Sequence, residues 1–557
     1  MKKSLKTKKQ LINAEDVCRL KVPISAAISP DEKKVAYTVE SVSKDKKEYY
    51  SHIFLTKLAK EEIRQFTFGK INDRELVWSP DGKQIAFIST RNKKTGIYII
   101  PTEGGAERKI IEEDGAFTGL KWTPDGQEIV YSFRYNDSFW EKDKKKKKEP
   151  PLYRHITRLF YRLDGAGFVP KDRFHIWKLS IETRQTKQLT KGNFDERTPN
   201  ISPNGKSIVF ISNRKVNSDL DYLYDDLFII PINGSKIKKI KTPPGPIASP
   251  TFSPDGKKIA YVGHDNPNDC WGVTNWHLWT VGASGRPAAK NLTPKFDRLA
   301  FDTTIGDVGG AFEAPPLFWS PDGKKIYFTV TDTGSTHIFY APSSGGRPTR
   351  VTHKKCHVRS YHMNGKRRLI SAIVSNLQNP GNLQLMPSVY EGDSKAKLLD
   401  NPAKKLLSKR DIPKTREIWF NTHDGFKLQG WLVTPPKFNK NRKYPAILEI
   451  HGGPRAQYGF TFFHEMLYLA SKGYVVFYTN PRGGTGRGET FADAITGGWG
   501  DIDYYDCMSA ADYLEKLPYV NKNKIGVTGG SYGGYMTNWI VGHTNRFKAA
   551  ITQRSVV

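Results

Sequence analysis

The chain has few cysteines and no long apolar segment. Cys18, Cys270, Cys356 and Cys507 are the four cysteines among 557 residues. They are too few and too scattered to form a disulfide framework. No run approaches the length of a membrane-spanning helix, and the lysine-rich N-terminus has no apolar core like that of a secretory signal. These absences predict a reducing compartment and no membrane partner, so we expect a cytoplasmic location.

Acidic residues are scarce relative to basic ones. Asp and Glu number 56 against 87 Lys and Arg, which gives a net charge of +31. Such an excess can attract nucleic acid or anionic membranes. The lysines are spread over many turns, however, and the densest run, at 144–148, is followed by Glu-Pro-Pro. Because no nucleic-acid-binding module is recognisable, we expect a solvated basic surface and no nucleic-acid partner.

Two segments that resemble cofactor sites are incomplete. His353, Cys356 and His357 offer metal-ligand atoms, but two lysines separate the first from the others and no fourth ligand is evident. The glycine-rich segment 480–488 (NPRGGTGRG) lacks the Gly-Lys-Ser/Thr ending of a phosphate-binding loop. The sequence therefore predicts neither a metal nor another cofactor, and it favours a structural loop at 480–488.

A turn signature of the form Ser/Thr-Pro-Asp-Gly recurs along the first four hundred residues. Six clear copies and a weaker one at 363–365 are each followed by a strand of alternating polarity and then by a second apolar run. The clear copies begin at Ser29, Ser79, Thr123, Ser202, Ser253 and Ser320. Hairpins spaced by roughly 40 to 50 residues are typical of propeller blades. The pattern predicts a seven-bladed β-propeller over 21–405, with insertions in blades three and five.

The pattern changes after residue 405 to alternating strands and helices. A hairpin that turns at 423–425 precedes a buried strand at 444–450, a helix at 462–472 and a second buried strand at 474–479. This order predicts an α/β domain over 406–557, of the α/β-hydrolase type. The segment 1–20 is expected to contain a short helix capped by Asn13.

The segment Gly529-Gly530-Ser531-Tyr532-Gly533 stands between a strand-like run at 524–528 and a helical run. This is the context of a nucleophile elbow, in which a sharp turn exposes the serine hydroxyl. Only glycine two residues before and after the serine avoids a clash in so tight a turn. We therefore predict Ser531 as the catalytic nucleophile.

A serine nucleophile also needs donors for the oxyanion that forms when it attacks a carbonyl. The buried strand 444–450 ends in His-Gly-Gly-Pro at 451–454, which matches the corresponding loop of hydrolases. The predicted oxyanion donors are the backbone amides of Gly453 and Tyr532.

The sequence supplies no base for Ser531. In this fold the serine is followed by an acid and then by a histidine. The 26 residues after Ser531 contain no Asp or Glu, and their one histidine is His543. His543 lies 12 residues along the predicted helix, about 18 Å away at 1.5 Å per residue, so we expect it to be structural. We accordingly expect the sequence to be a fragment or an interrupted gene product, or to be completed by a second polypeptide.

Taken together, these motifs resemble the prolyl oligopeptidase superfamily, and within it the acylaminoacyl-peptidase-like and dipeptidyl-peptidase-like bacterial enzymes. The resemblance covers nearly the whole chain. It rests on the propeller signatures and on the segments 451–454, 480–483, 499–501, 503–506 and 529–534. It implies a cytosolic serine peptidase whose propeller covers the active site, admits short peptides and excludes folded proteins. It also implies that the N-terminal helix packs on the hydrolase domain rather than on the propeller.

Three functions remain open at this point. The first is a serine oligopeptidase that hydrolyses short peptides through an acyl-enzyme at Ser531. The second is an esterase-like hydrolase that uses the same serine, although a simple esterase needs no propeller as a filter. The third is an inactive fragment that at most binds peptides, because removal of the base costs several orders of magnitude in rate. A homo-oligomer is compatible with the sequence, which does not distinguish acylated, dipeptidyl or internal cleavage.

Overall fold

A computed structural model describes residues 9–136, 155–163, 167–309, 316–364, 366, 368–388 and 392–556. The lysine run at 144–148 lies outside these ranges. Seven antiparallel blades of four strands each precede a six-stranded mixed sheet. The fold is thus a seven-bladed propeller followed by an α/β-hydrolase sheet, as the sequence predicts.

Each blade consists of strands that are consecutive in the chain. In blade order, the strands are Val22–Ile28, Lys34–Val42, Tyr49–Lys57 and Glu62–Gln65; Ile71–Trp78, Gln84–Arg91, Lys94–Pro101 and Arg108–Glu113; Gly115–Trp122, Glu128–Tyr135, His175–Ser180 and Thr186–Gln188; Glu196–Ile201, Ser207–Ser212, Asp226–Pro231 and Lys238–Ile240; Ile247–Phe252, Lys258–Gly263, His277–Gly282 and Lys290–Asn291; Phe318–Trp319, Lys325–Asp332, Ser335–Pro342 and Thr349–Arg350; and His357–Met363, Leu369–Asn376, Asn379–Pro387 and Lys397–Asp400. A short hairpin, Arg162–Leu163 with Gly167–Phe168, lies in the blade 3 insertion.

Blade 7 closes the ring against blade 1 through hydrogen bonds, without exchange of strands. The Asn364 side-chain amide donates to the Ser29 carbonyl at 2.8 Å, and the Tyr37 hydroxyl donates to Asp400 Oδ2 at 2.5 Å. The Ile28 amide donates to His362 Nδ1 at 3.3 Å.

The six clear copies of the turn signature share one geometry. In blade 2 the Ser79 hydroxyl donates to Asp81 Oδ1 at 2.6 Å and accepts the Gln84 amide at 2.9 Å. Gly82 has a positive φ of 69°. A Cβ at Gly82 would lie 3.5 Å from the ring of Pro30 in the preceding blade, so neighbouring signature turns pack on each other. The signature is therefore a contact between blades as well as a turn.

The long spacing before the sixth signature divides into two segments. One is the loop 264–276 between the second and third strands of blade 5, and the other is the linker between blades 5 and 6, of which the structure describes 292–309 and 316–317. The sequence-based interpretation assigned the whole extra length to blade 5. The linker reaches the hydrolase domain, where the Ile305 amide donates to the Gln457 carbonyl at 2.9 Å. An interdomain contact of this kind leaves no local sequence pattern.

The N-terminal segment contacts both domains, which corrects the expectation that its helix packs on the hydrolase domain rather than on the propeller. Gln10–Leu11 pairs in parallel with Arg410–Asp411, and a 3₁₀ helix spans Ala14–Arg19. The Asn13 amide, just before that helix, donates to Asp16 Oδ2 at 3.1 Å. Residues of the segment share an apolar cluster with the hydrolase sheet. An ion pair between Glu15 and Lys46 joins the same segment to blade 1.

The hydrolase sheet has strand order β1-β2-β4-β3-β5-β6, in which β1 with β2 and β2 with β4 are antiparallel and the other pairs are parallel. Its strands are β1 Lys414–Asn421, β2 Lys427–Thr434, β3 Tyr444–Ile450, β4 Val475–Asn480, β5 Val520–Gly530 and β6 Ala549–Gln553. Its helices are α1 Lys404–Leu407, α2 His464–Ser471, α3 Glu489–Asp493, α4 Ile502–Lys516 and α5 Tyr532–His543. A short 3₁₀ helix, Gly392–Lys395, lies in blade 7.

Alternation along the strands divides the core into two layers. Leu432 and Phe477 face α4 and α5 on one side of the sheet, and Val433 and Tyr478 face α2 on the other. Strands buried on both faces are expected in a parallel sheet.

In the ranges described above, no helix combines the length and apolar character needed to cross a membrane.

Candidate active site

Ser531 lies at the turn between β5 and α5 with an exposed side chain and a strained backbone. Its φ of 57° and ψ of −120° are unfavourable for any residue other than glycine. A Cβ at Gly529 would lie 2.5 Å from the Gly533 carbonyl oxygen, and a Cβ at Gly533 would lie 2.1 Å from the Ile450 oxygen. Both flanking positions therefore require glycine, as the elbow hypothesis predicts.

The His-Gly-Gly-Pro loop follows β3 and contacts the elbow. A Cβ at Gly452 would lie 3.3 Å from the Ser531 Cβ. Gly453 is exposed and has a φ of 129°. Within the described ranges, neither the Gly453 amide nor the Tyr532 amide donates to another protein group. The two predicted oxyanion donors thus belong to backbone segments that meet at Ser531.

The buried side chain of Tyr532 holds the elbow in place through a hydrogen bond to Asp503. Its side chain is fully buried, and its hydroxyl donates to Asp503 Oδ2 at 2.5 Å. Asp503 also accepts the Gly500 amide at 2.9 Å and the Tyr504 amide at 3.0 Å. Burial, together with the Asp503 charge, raises the pKa of the Tyr532 phenol well above its ordinary value, so the phenol stays protonated.

His451 is a buried neutral histidine within the same loop. Its Nδ1 lies 2.8 Å from the Gly452 carbonyl oxygen, to which it donates when protonated. Burial lowers the pKa of His451 to about 4. In the part of the chain that the structure describes, its buried Nε2 has no hydrogen-bond partner. The motif drew attention to the glycines, and sequence reasoning assigned no role to this histidine.

The glycine-rich segment 480–488 is held by an arginine between two carboxylates. The Arg482 guanidinium donates to Asp506 Oδ1 at 2.5 Å and to Asp424 Oδ2 at 2.6 Å. Its backbone amide donates to Asp506 Oδ2 at 2.9 Å. Because Arg482 is fully engaged by protein groups, the segment acts as a structural loop beside the elbow.

The other singled-out side chains lie away from Ser531 or contact different groups. The His543 ring stacks on Trp539 at 4.3 Å, and its Nδ1 lies 2.7 Å from the Trp539 carbonyl oxygen. His357 Nε2 lies 2.7 Å from Asp302 Oδ2. Burial raises the pKa of the Cys356 thiol to about 12. Among the described residues, no histidine or carboxylate is hydrogen-bonded to Ser531.

The propeller contributes the loop 264–276 to the same region. Arg455, just after the His-Gly-Gly-Pro loop, donates to the Trp271 carbonyl at 2.8 Å. The Trp271 ring lies 6.1 Å from Trp499, which in turn lies 4.9 Å from Tyr532. Sequence reasoning missed Trp271 and Arg455, and the extra length of blade 5 was the one signal for this loop.

Comparison with known proteins identifies the family of the chain. The family described as prolyl oligopeptidase matches residues 460–557, and the one described as TolB beta propeller matches residues 4–151. The chain is 34% identical over 556 residues to the uncharacterized peptidase YuxL of Bacillus subtilis, covering 98% of this chain and 82% of that protein. The chain therefore belongs to the prolyl oligopeptidase family of serine peptidases.

Two further relatives show the range of the similarity. Dipeptidyl-peptidase 5 of Porphyromonas gingivalis is 25% identical over 554 residues, covering 95% of this chain and 76% of its own length. The solved acylaminoacyl peptidase of Pyrococcus horikoshii has a TM-score of 0.78 at 20% identity, and the match covers 98% of this chain and 79% of that one. At this identity the structural likeness concerns the fold.

Proposed function

We propose that the protein hydrolyses short peptides by acyl transfer through Ser531. The strained, exposed elbow that contacts the His-Gly-Gly-Pro loop is the observation that carries this proposal. The names of the relatives, a dipeptidyl peptidase and an acylaminoacyl peptidase, favour short peptide substrates. A cytoplasmic location stays a prediction from the sequence.

In the proposed reaction, the Ser531 oxygen forms a bond to the carbonyl carbon of the peptide. The electron pair of the carbonyl moves to its oxygen, which accepts hydrogen bonds from the Gly453 and Tyr532 amides. Collapse of this intermediate breaks the C–N bond, and the proton that Ser531 lost passes to the leaving amine; water then hydrolyses the acyl-enzyme, which releases the carboxylic acid and restores the Ser531 hydroxyl. Donors that are fixed before the charge develops need no reorganisation during the reaction.

The reaction also requires a base for the Ser531 proton. Residues 532–557 contain one histidine, His543, and no Asp or Glu. The His543 ring stacks on Trp539 at 4.3 Å and bonds the Trp539 carbonyl, so His543 does not act as the base for Ser531. The described residues bring no base to Ser531, so the experiment must report on the serine directly.

Intact-mass spectrometry after incubation with a fluorophosphonate provides this test. With a base acting on Ser531, we expect one adduct per chain, absent from Ser531→Ala, together with hydrolysis of short peptides. Failure of the 557-residue chain to form the adduct would support an inactive, peptide-binding fragment. An adduct accompanied by cleavage of acyl esters and not of peptides would instead support the esterase interpretation.

A further inference from the structure

Trp271 is an exposed aromatic side chain at the boundary between the two domains. It lies in the loop 264–276 of blade 5, and 43% of its surface is exposed. The loop contacts the hydrolase domain through Arg455. A tryptophan on a mobile loop would have no fixed position from which to bind a ligand. The contacts that hold this loop therefore determine whether Trp271 can form a binding surface.

The loop is held from two sides. Arg455 Nε donates to the Trp271 carbonyl at 2.8 Å, and the Asn275 amide donates to Glu489 Oε1 at 2.6 Å. Inside the loop, Asp269 accepts the Val273 amide at 3.0 Å and the Thr274 amide at 2.6 Å. The hydrolase domain and the loop itself therefore fix the backbone that presents Trp271.

Two separate connections link Trp271 to the His-Gly-Gly-Pro loop and to the elbow. Through the backbone, its carbonyl binds Arg455, which is two residues after Gly453. Through the rings, Trp271 lies 6.1 Å from Trp499, and Trp499 lies 4.9 Å from Tyr532, the residue after Ser531. The loop that carries the exposed indole therefore contacts the residue that follows the predicted oxyanion loop and, through Trp499, the side chain that supports the elbow.

The exposed Trp271 side chain gives this surface an apolar character. The Arg455 guanidinium also donates to the Gly483 carbonyl and, at 3.2 Å, to Thr496 Oγ1, so each of its three nitrogens bonds a protein oxygen. The exposed face of Trp271 offers a flat aromatic surface beside the partly buried Trp499. Such surfaces bind aromatic and large aliphatic groups.

We propose that Trp271 is a specificity-determining residue whose indole binds a large apolar side chain of the peptide close to the bond that is cleaved. Arg455 is a positioning residue that holds the Trp271 backbone. The identification of the ligand as a peptide substrate rests on the proposed function above.

Peptide binding in a Ser531→Ala background tests this inference without turnover. Isothermal titration is carried out with trialanine and with three tripeptides that carry one phenylalanine at the first, second or third position. We expect at least one of these positions to bind more tightly than trialanine. Trp271→Ala should reduce that preference about tenfold, and Trp271→Phe should retain part of it. Trp419→Ala is the matched control, because Trp419 is 38% exposed and lies on the edge strand β1.

A double-mutant cycle tests the positioning role of Arg455. Arg455→Met should lower the preference for phenylalanine when Trp271 is present and have no further effect in Trp271→Ala. Additive losses would show that Arg455 acts on the peptide by another route and would overturn its assigned role.

The outcomes separate this inference from the proposed function. Equal weakening of all four peptides by Trp271→Ala, an unchanged preference, or no saturable binding by the parent would overturn the inference. Fluorophosphonate labelling of the chain with intact Ser531 would still stand in those cases. Conversely, a preference that depends on Trp271 in a chain that does not label would uphold the subsite and contradict the peptidase proposal.

Discussion

Substitution of Gly533 by alanine should damage the elbow through a backbone clash. The added Cβ would lie 2.1 Å from the Ile450 carbonyl oxygen, 2.8 Å from its carbon and 3.0 Å from the His451 oxygen. Non-bonded carbon contacts are comfortable at about 3.5 Å, so α5 and the end of β3 must separate by about 1 Å. All three neighbouring atoms belong to the backbone and cannot move aside as a flexible side chain would.

The expected size follows from a comparison within one helix. Overpacking costs about 1–3 kcal/mol, and the rigid neighbours of Gly533 place this site near the upper end of that range. Gly542 lies on the same helix with no atom within 4 Å of an added Cβ. There, alanine should raise the free energy of unfolding by about 0.5–1 kcal/mol, because glycine is a poor helix former. The two variants should differ by about 3 kcal/mol.

Urea unfolding followed by tryptophan fluorescence measures this difference. We expect the midpoint of Gly533→Ala to lie roughly 1–2 M below that of Gly542→Ala, taking a denaturant slope of about 2 kcal/mol per molar. Hydrogen exchange over 529–537 should rise in Gly533→Ala alone. Equal midpoints for the two variants would refute the argument that the second flanking glycine is required by its contact with β3.

Two further predictions concern buried charged and titratable groups. Asp16 is the buried partner of the Arg410 guanidinium and accepts two of its bonds at 2.6 Å. Asp16→Asn removes the buried negative charge and should lower the free energy of unfolding, measured by urea denaturation, by about 3 kcal/mol. A change below about 1 kcal/mol would contradict this. His451 has a pKa of about 4 in the folded protein and about 6.5 when unfolded, so below pH 6.5 the unfolded chain binds a proton that the folded chain does not. Stability should therefore fall by an amount on the order of 3 kcal/mol as the pH drops from 6.5 to 4, and His451→Gln should flatten that slope in thermal-shift measurements.

The propeller and the elbow could be predicted because their determinants are local. Each of the six clear signature turns is closed by a hydroxyl that donates to a side-chain oxygen two residues later, as in Ser79 with Asp81 at 2.6 Å. The elbow likewise depends on glycines within two residues of Ser531, and both fail to accept a Cβ. Short-range chemistry of this kind leaves a pattern in the sequence that can be recognised without knowledge of distant contacts.

The propeller side of the candidate site could not be predicted, because its contacts join residues far apart in the chain. Arg455 binds the carbonyl of Trp271, 184 residues earlier. Glu489 accepts the amide of Asn275, 214 residues earlier. Neither contact involves a motif, and a carbonyl or amide partner places no demand on the residue type. The length of the blade 5 insertion was visible in the sequence, but its destination was not.

Buried polar contacts between the domains connect the propeller to the site. Gln457 is fully buried, with its side-chain nitrogen 2.9 Å from Thr304 Oγ1 and its oxygen 2.9 Å from the Gly334 amide. A buried polar group left without a partner costs about 1–3 kcal/mol, so these bonds restrict the relative orientation of the domains more narrowly than an apolar contact would. The elbow lies entirely within the hydrolase domain. Trp271 belongs to the propeller and contacts the hydrolase domain through Arg455 and Trp499. The position of the apolar surface relative to Ser531 therefore depends on residues such as Gln457 that contact neither the elbow serine nor the proposed substrate subsite.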